Sequence, residues 1–76
     1  MSQGYSLRLV EQNMKADARK LGVRLGRACV VHDVPVAVVA ERFGVTRQTV
    51  YNWFRGGSTP NLGISSAVER FISSLS

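Results

Sequence analysis

The 76-residue sequence predicts an all-α domain of four or five short helices. Three observations carry that reading. Apolar residues recur at spacings of three and four along most of the chain, the period of helices buried on one face. The breaks between these stretches fall on Pro35, on Gly44 and on the run Gly56, Gly57, Ser58, Thr59, Pro60, all turn-forming residues. The break at Gly44 is so short that the helices on either side must cross closely.

Residues 1–12 read as an N-terminal arm or short element, and residues 13–76 as the domain. Tyr5, Leu7 and Leu9 alternate with Ser6 and Arg8, a pattern open to a short strand, an arm or an extra helical turn. A first helix is expected from an Asn13 N-cap, with Met14, Ala18, Leu21, Leu25, Ala28, Cys29 and His32 forming its inner stripe. Gly22 and Gly26 inside it each cost about 0.8–1.0 kcal/mol against alanine, tolerable if they allow a neighbour to pack closely. Lys20, Arg24 and Arg27 share the opposite face, open to plain solvation or to phosphate contact.

Residues 32–35 read as a connection, because proline can start a helix but not continue one. A second helix is then expected over residues 36–43, burying Val36, Val39, Ala40 and Phe43. Gly44 ends it in a left-handed conformation, and Thr46 caps a third helix running to about Arg55. After the loop at 56–60, the capping-box spacing of Ser66 and Glu69 places a last helix that buries Val68, Phe71, Ile72 and Leu75.

Composition bounds the function without choosing it. Hydrophobic residues make up 45% and charged residues 20%, which suits a folded domain. Ten Lys and Arg against five Asp and Glu give a net charge of +5, and the pI is near 10.4. That balance favours a polyanionic partner such as nucleic acid, yet acidic proteins and anionic lipid attract basic domains as well. Cys29 is a single cysteine and no CxxC pair is present, so neither an internal disulfide nor a zinc site is expected, and a reducing cytoplasm fits. No apolar run approaches the ~20 residues of a membrane span and no signal segment is apparent, so secretion and membrane insertion are not expected.

The informative constellation is VAVVAERFGVTRQTVYNWF, in which each scaffold position has a separate geometric task. Ala40 lets its helix approach the next one, Gly44 makes the turn and Val45 fills the corner. Val50 and Trp53 pack the inner side of the third helix. Gln48, Tyr51, Asn52 and Arg55 fall on the opposite side, with Arg47 at its flank. Arg, Gln and Asn are the side chains that meet base edges in pairs within a major groove about 12 Å wide.

With those residues in view, the stretch resembles the helix-turn-helix of the lambda-repressor and Cro-like family, also called the xenobiotic-response-element type, over roughly residues 15–75. The resemblance rests on Ala40, Gly44, Val45, Val50, the pair Trp53 and Phe54, and Gly56 opening the loop. It implies a small lambda-repressor-like domain that binds double-stranded DNA with a recognition helix at residues 46–55. By that likeness Arg47, Gln48, Tyr51 and Asn52 read bases. Arg47 or Arg55 can take guanine, Gln48 or Asn52 adenine, and Tyr51 a thymine methyl or a phosphate. Thr46, Arg55, Ser58, Thr59 and Asn61 are expected to hold phosphates.

The departures from that family are informative too. Relatives often carry Ser or Thr before the second helix and Gln at its start, where this chain has Pro35 and Val36. A phosphate contact there has only a backbone N–H to use. The sequence also stops after the fourth core helix, so the extra helix some relatives use for dimerisation is not expected. Trp53 and Phe54 lie in phase with Val50 and read as core, not as a base-stacking platform. Cys29 and His32 share a helix face without a third catalytic group, and the carboxylates Glu11, Asp17, Asp33, Glu41 and Glu69 are scattered. No enzyme, metal, cofactor or small-molecule ligand is therefore expected.

Together these features imply a small transcriptional regulator, most simply a phage- or plasmid-type repressor in a bacterial cell or phage-infected host, binding as a homodimer. Residues 5–10 and the exposed parts of residues 62–75 are the expected dimer surfaces. The competing reading is an interaction module that holds an acidic partner, such as a subunit of the transcription machinery, on the same basic face.

Overall fold

Residues 5–75 are described by the computed structural model, and they form five helices with no strand among them. The helices are α1 (Leu7–Lys15), α2 (Leu21–Val31), α3 (Val36–Phe43), α4 (Arg47–Arg55) and α5 (Leu62–Leu75). The expected all-α class holds. The largest change is at the N-terminal end, where the boundary read between residues 12 and 13 falls inside α1.

Ser6 starts α1 by accepting a hydrogen bond from the Leu9 N–H at 3.2 Å, so the segment open to a strand reading is helical. Tyr5, Leu9 and Asn13 follow one another at intervals of four and are all buried, whereas Leu7 is exposed. Asn13 is therefore no N-cap. It lies in the last turns of α1, only 1% exposed.

The long first helix expected from Asn13 is interrupted at residues 16–20. Ala16 is extended, and Asp17 Oδ1 accepts from the Arg19 N–H at 2.9 Å, a side-chain turn that competes with helix. The same carboxylate pairs with the Arg19 guanidinium, whose hydrogen bond holds the Asp17 pKa down to about 2. Met14, Ala18 and His32 are exposed and leave the predicted stripe, while Leu25 and Cys29 keep their inward places on α2.

The cations read as one exposed face are used by the protein itself. Arg27 Nη2 donates to the carbonyls of Met14 (3.0 Å) and Asn13 (3.4 Å), closing the C-terminal end of α1. Lys20 Nζ donates to the Gly56 carbonyl at 2.9 Å. Arg24 forms a two-toothed pair with Glu69, at 2.9 and 3.2 Å, tying α2 to α5.

Beneath this lies a core in which Val23, Leu25, Val39, Val50, Phe54 and Val68 are fully buried. Each such side chain contributes about 1.5–3 kcal/mol of burial. Phe43 is the hinge of an aromatic group, with ring centroids 6.3 Å from Trp53 and 5.6 Å from Phe71, both edge-on. It thereby links α3, α4 and α5.

The helix α5 begins at Leu62, earlier than the capping-box spacing predicts, so Ser66 and Glu69 lie within it. The Asn61 carbonyl accepts from the Ile64 N–H at 3.1 Å at its start. Glu69 reaches across to Arg24 instead of back along its own helix.

Candidate nucleic-acid interface

The geometry of α4 is fixed at both ends and along its inner side. At the entrance, α3 closes on Gly44 with φ of 65°, the left-handed region where glycine meets no Cβ clash. The Val45 N–H then donates to the Ala40 carbonyl at 3.0 Å and the Gly44 N–H to Glu41 at 3.3 Å, satisfying carbonyls at the end of α3. Two residues later Thr46 caps α4, its hydroxyl accepting from the Thr49 N–H at 3.2 Å. The turn is thus complete within three residues, as expected, with Ala40 buried and Val45 half-buried at the corner.

Along its inner side α4 buries Val50, Trp53 and Phe54. The helix α2 crosses it with almost nothing in between. A Cβ on Gly22 would sit 2.8 Å from Trp53 Cβ and from its carbonyl oxygen, and one on Gly26 would sit 2.5 Å from Asn13 Nδ2 and 2.8 Å from Phe54 Cγ. The two glycines that weaken α2 by propensity are thus what lets it seat against α4.

At the exit, the left-handed Gly56 (φ 82°) donates to the Trp53 carbonyl, and the Gly57 N–H to that of Asn52 at 2.9 Å. The Phe54 carbonyl is satisfied from outside the helix. Asn13 Nδ2 donates to it at 2.8 Å and to the Val23 carbonyl at 3.2 Å, so one buried amide binds α1 to α2 and α4. Tyr5 reinforces the arrangement. Its ring lies 6.1 Å from that of Phe54, and its hydroxyl donates to the Val34 carbonyl ahead of α3. Burial of this phenol raises its pKa well above the ordinary value, with smaller contributions from Cys29, Asp33 and Tyr51.

The outer side of α4 carries the predicted contact residues. Arg47, Gln48, Tyr51 and Arg55 are exposed, and Asn52 is half-buried. Three of them are already joined, because Asn52 Oδ1 accepts from Gln48 Nε2 at 3.3 Å and from Arg55 Nη2 at 2.5 Å. Ser58, Thr59 and Asn61 are exposed in the loop between α4 and α5, where the Ser58 N–H is turned back to the Asn52 carbonyl. Thr46 is exposed but its hydroxyl is engaged as the cap. Sequence reasoning takes Asn13 for an N-cap and misses its part in holding α4. The signal for that part was the four-residue spacing that runs through Tyr5, Leu9 and Asn13.

A family model described as helix-turn-helix matches residues 36–73, taking in α3, the Gly44 turn, α4 and most of α5. The chain belongs to the lambda-repressor/Cro-like helix-turn-helix family. It is accordingly a DNA-binding transcription regulator, of a family that is not enzymatic. No curated protein and no solved structure matches it. The helix-turn-helix match leaves out α1, which is nevertheless built into the core through Tyr5, Leu9 and Asn13. Among the described residues no helix is long and apolar enough to cross a membrane, and no group of His, Cys, Asp and Glu could hold a metal ion.

Proposed function

We propose that this protein binds double-stranded DNA sequence-specifically by laying α4 in the major groove, and that it acts as a small repressor of phage or plasmid type. In this reading Arg47, Gln48, Tyr51 and Asn52 meet base edges. Arg55, Thr46, Ser58, Thr59 and Asn61 hold phosphates and set the register. The observation that supports it best is the division of α4: Val50, Trp53 and Phe54 supply the core, while the guanidinium and amide side chains lie on the other side, outside it.

Asn52 enters this reading with its oxygen already accepting from Gln48 and Arg55. Reading an adenine with both amide atoms exchanges those bonds for the base's own donor and acceptor. Gln48 is the freer of the two amides for the same task.

One recognition helix covers a short stretch of sequence, so the regulator acts as a homodimer on half-sites about 34–36 Å apart and occludes a promoter. Tyr5 and Leu9 face the core and Val10 packs against it, which leaves Leu7 of the N-terminal surface, together with the outer side of α5, for that contact. Sedimentation at micromolar concentration, free and on DNA, tests it, and a monomer under both conditions would refute the dimer.

Selection of bound duplexes from a random pool tests the function itself. Arg47→Ala and Gln48→Ala should each relax preference at one or two positions, by about 1–3 kcal/mol per lost base contact. Arg55→Ala should weaken all sequences alike. Unchanged base preference in both of the first two variants would exclude α4 as the reading helix and favour a protein partner for this face.

A further inference from the structure

The side of α4 that faces outward is not bordered by solvent alone. It shares a cleft with α1, lined by Arg8 and Gln12 from α1 and by Gln48, Tyr51 and Arg55 from α4. A second cleft continues along the same seam, where Gln12 and Arg55 are joined by Lys15. Arg8, Gln12 and Lys15 are spaced by four and three, so they form one edge of α1. Arg8 and Lys15 are exposed, and among the described residues no carboxylate lines either cleft. Glu11, the one acidic residue of α1, does not line them.

We infer that this edge of α1 is a second DNA-contacting element, in which Arg8 and Lys15 hold the phosphates of the strand bordering the groove that α4 enters. The inference rests on the reading of α4 as the groove helix. A helix with its side chains is about 10–12 Å across and the major groove is about 12 Å wide, so the groove holds α4 and nothing beside it. A neighbour packed against α4 along its outer flank must therefore lie over the rim, where the chemistry is that of phosphate oxygens. The cationic, carboxylate-free seam matches a polyanionic strand, and Gln12 adds an amide donor between the two charges. The rigidity needed is present, because Asn13 and Tyr5 on the buried side of the same segment fix α1 to α4.

The test is the salt dependence of binding to a duplex selected by the wild-type protein. Each phosphate contact contributes about 0.9 to the slope of log affinity against log salt. Arg8→Gln and Lys15→Gln should each lower that slope by about 0.9 and weaken binding several-fold at moderate salt, with the preferred base sequence unchanged. Arg8→Lys should keep the wild-type slope. Arg24→Gln, which removes a charge already paired with Glu69, should leave it unchanged. Thermal melts of all variants should coincide within a few degrees, since Arg8 and Lys15 are exposed. An unaltered slope in both glutamine variants, tighter binding by either, or a changed base preference would overturn the inference while leaving α4 as the reader. Absence of any duplex selected by the wild-type protein would overturn both.

Discussion

The side-chain amide of Asn13 and the backbone carbonyl of Phe54, 41 residues apart, are joined by a 2.8 Å hydrogen bond inside the core. That bond closes the C-terminal end of α4 with a donor from α1, where a helix would otherwise rely on water or its own last turn. Asn13→Ala leaves two buried carbonyls, those of Phe54 and Val23, without this donor, and should lower the unfolding free energy by about 1–3 kcal/mol. Urea denaturation measures it. A loss below about 0.5 kcal/mol would mean that another donor replaces the amide at no net cost.

Alanine scanning of glycines should separate propensity from packing. On propensity alone Gly22→Ala and Gly26→Ala would each gain about 0.8–1.0 kcal/mol. The overlaps of 2.8 and 2.5 Å with Trp53 and Asn13 reverse the sign, and each variant should lose about 1–3 kcal/mol. Gly63→Ala in α5 meets only the Asn61 side-chain oxygen at 3.1 Å, which can swing aside, and should raise the melting temperature. A gain at all three positions would show that α2 can move off α4 freely.

The two left-handed glycines should differ as well. Gly44 has open space around its absent Cβ, so Gly44→Ala suffers only the backbone penalty of about 1–2 kcal/mol and Gly44→Asn less. Gly56→Ala adds contacts at 3.3 Å with Val23 and 3.4 Å with Ala16, and should be the more damaging. Equal melting temperatures for the two alanine variants would contradict this ordering.

Stability should fall on the alkaline side. Burial raises the Tyr5 pKa above its ordinary 10.0 and pushes the Cys29 thiol from 9.0 up to about 12. Both groups bind their proton more tightly when folded. Their contribution is therefore complete below the unfolded values, near pH 9 for Cys29 and 10 for Tyr5, and is lost as pH rises through the folded ones. Denaturation at pH 8 and at about pH 11 should show the drop, and Tyr5→Phe should reduce it. The same burial predicts that a thiol reagent labels Cys29 at neutral pH only on unfolding; rapid labelling of the native protein would disprove it.

The elements that were legible in the sequence are those whose signals are local. Gly44, Thr46 and Gly56 mark the turn and the limits of α4 within a few residues of where they act, and the structure uses each as a cap. The inner positions Val50, Trp53 and Phe54 followed from period alone. What escaped was decided at a distance. Asn13 has the residue type of an N-cap, and only partners in α2 and α4 make it a core residue. The interruption at residues 16–20 lacks glycine and proline, and its one local marker is the Asp17 turn onto Arg19. Ser66 and Glu69 have the spacing of a capping box, yet Glu69 finds Arg24 across the fold. Of the outer residues of α4, their exposure was readable from phase, but the bonds that join Gln48 and Arg55 to Asn52 were not.

The separation of labour along α4 has a practical corollary for engineering. Arg47, Gln48 and Tyr51 lie outside the buried core, Tyr51 at 36% exposure, whereas Gly22 and Gly26 of α2 and Asn13 of α1 clamp the opposite side of the helix. New side chains at those three outward positions should therefore retarget the protein without a compensating change in its core.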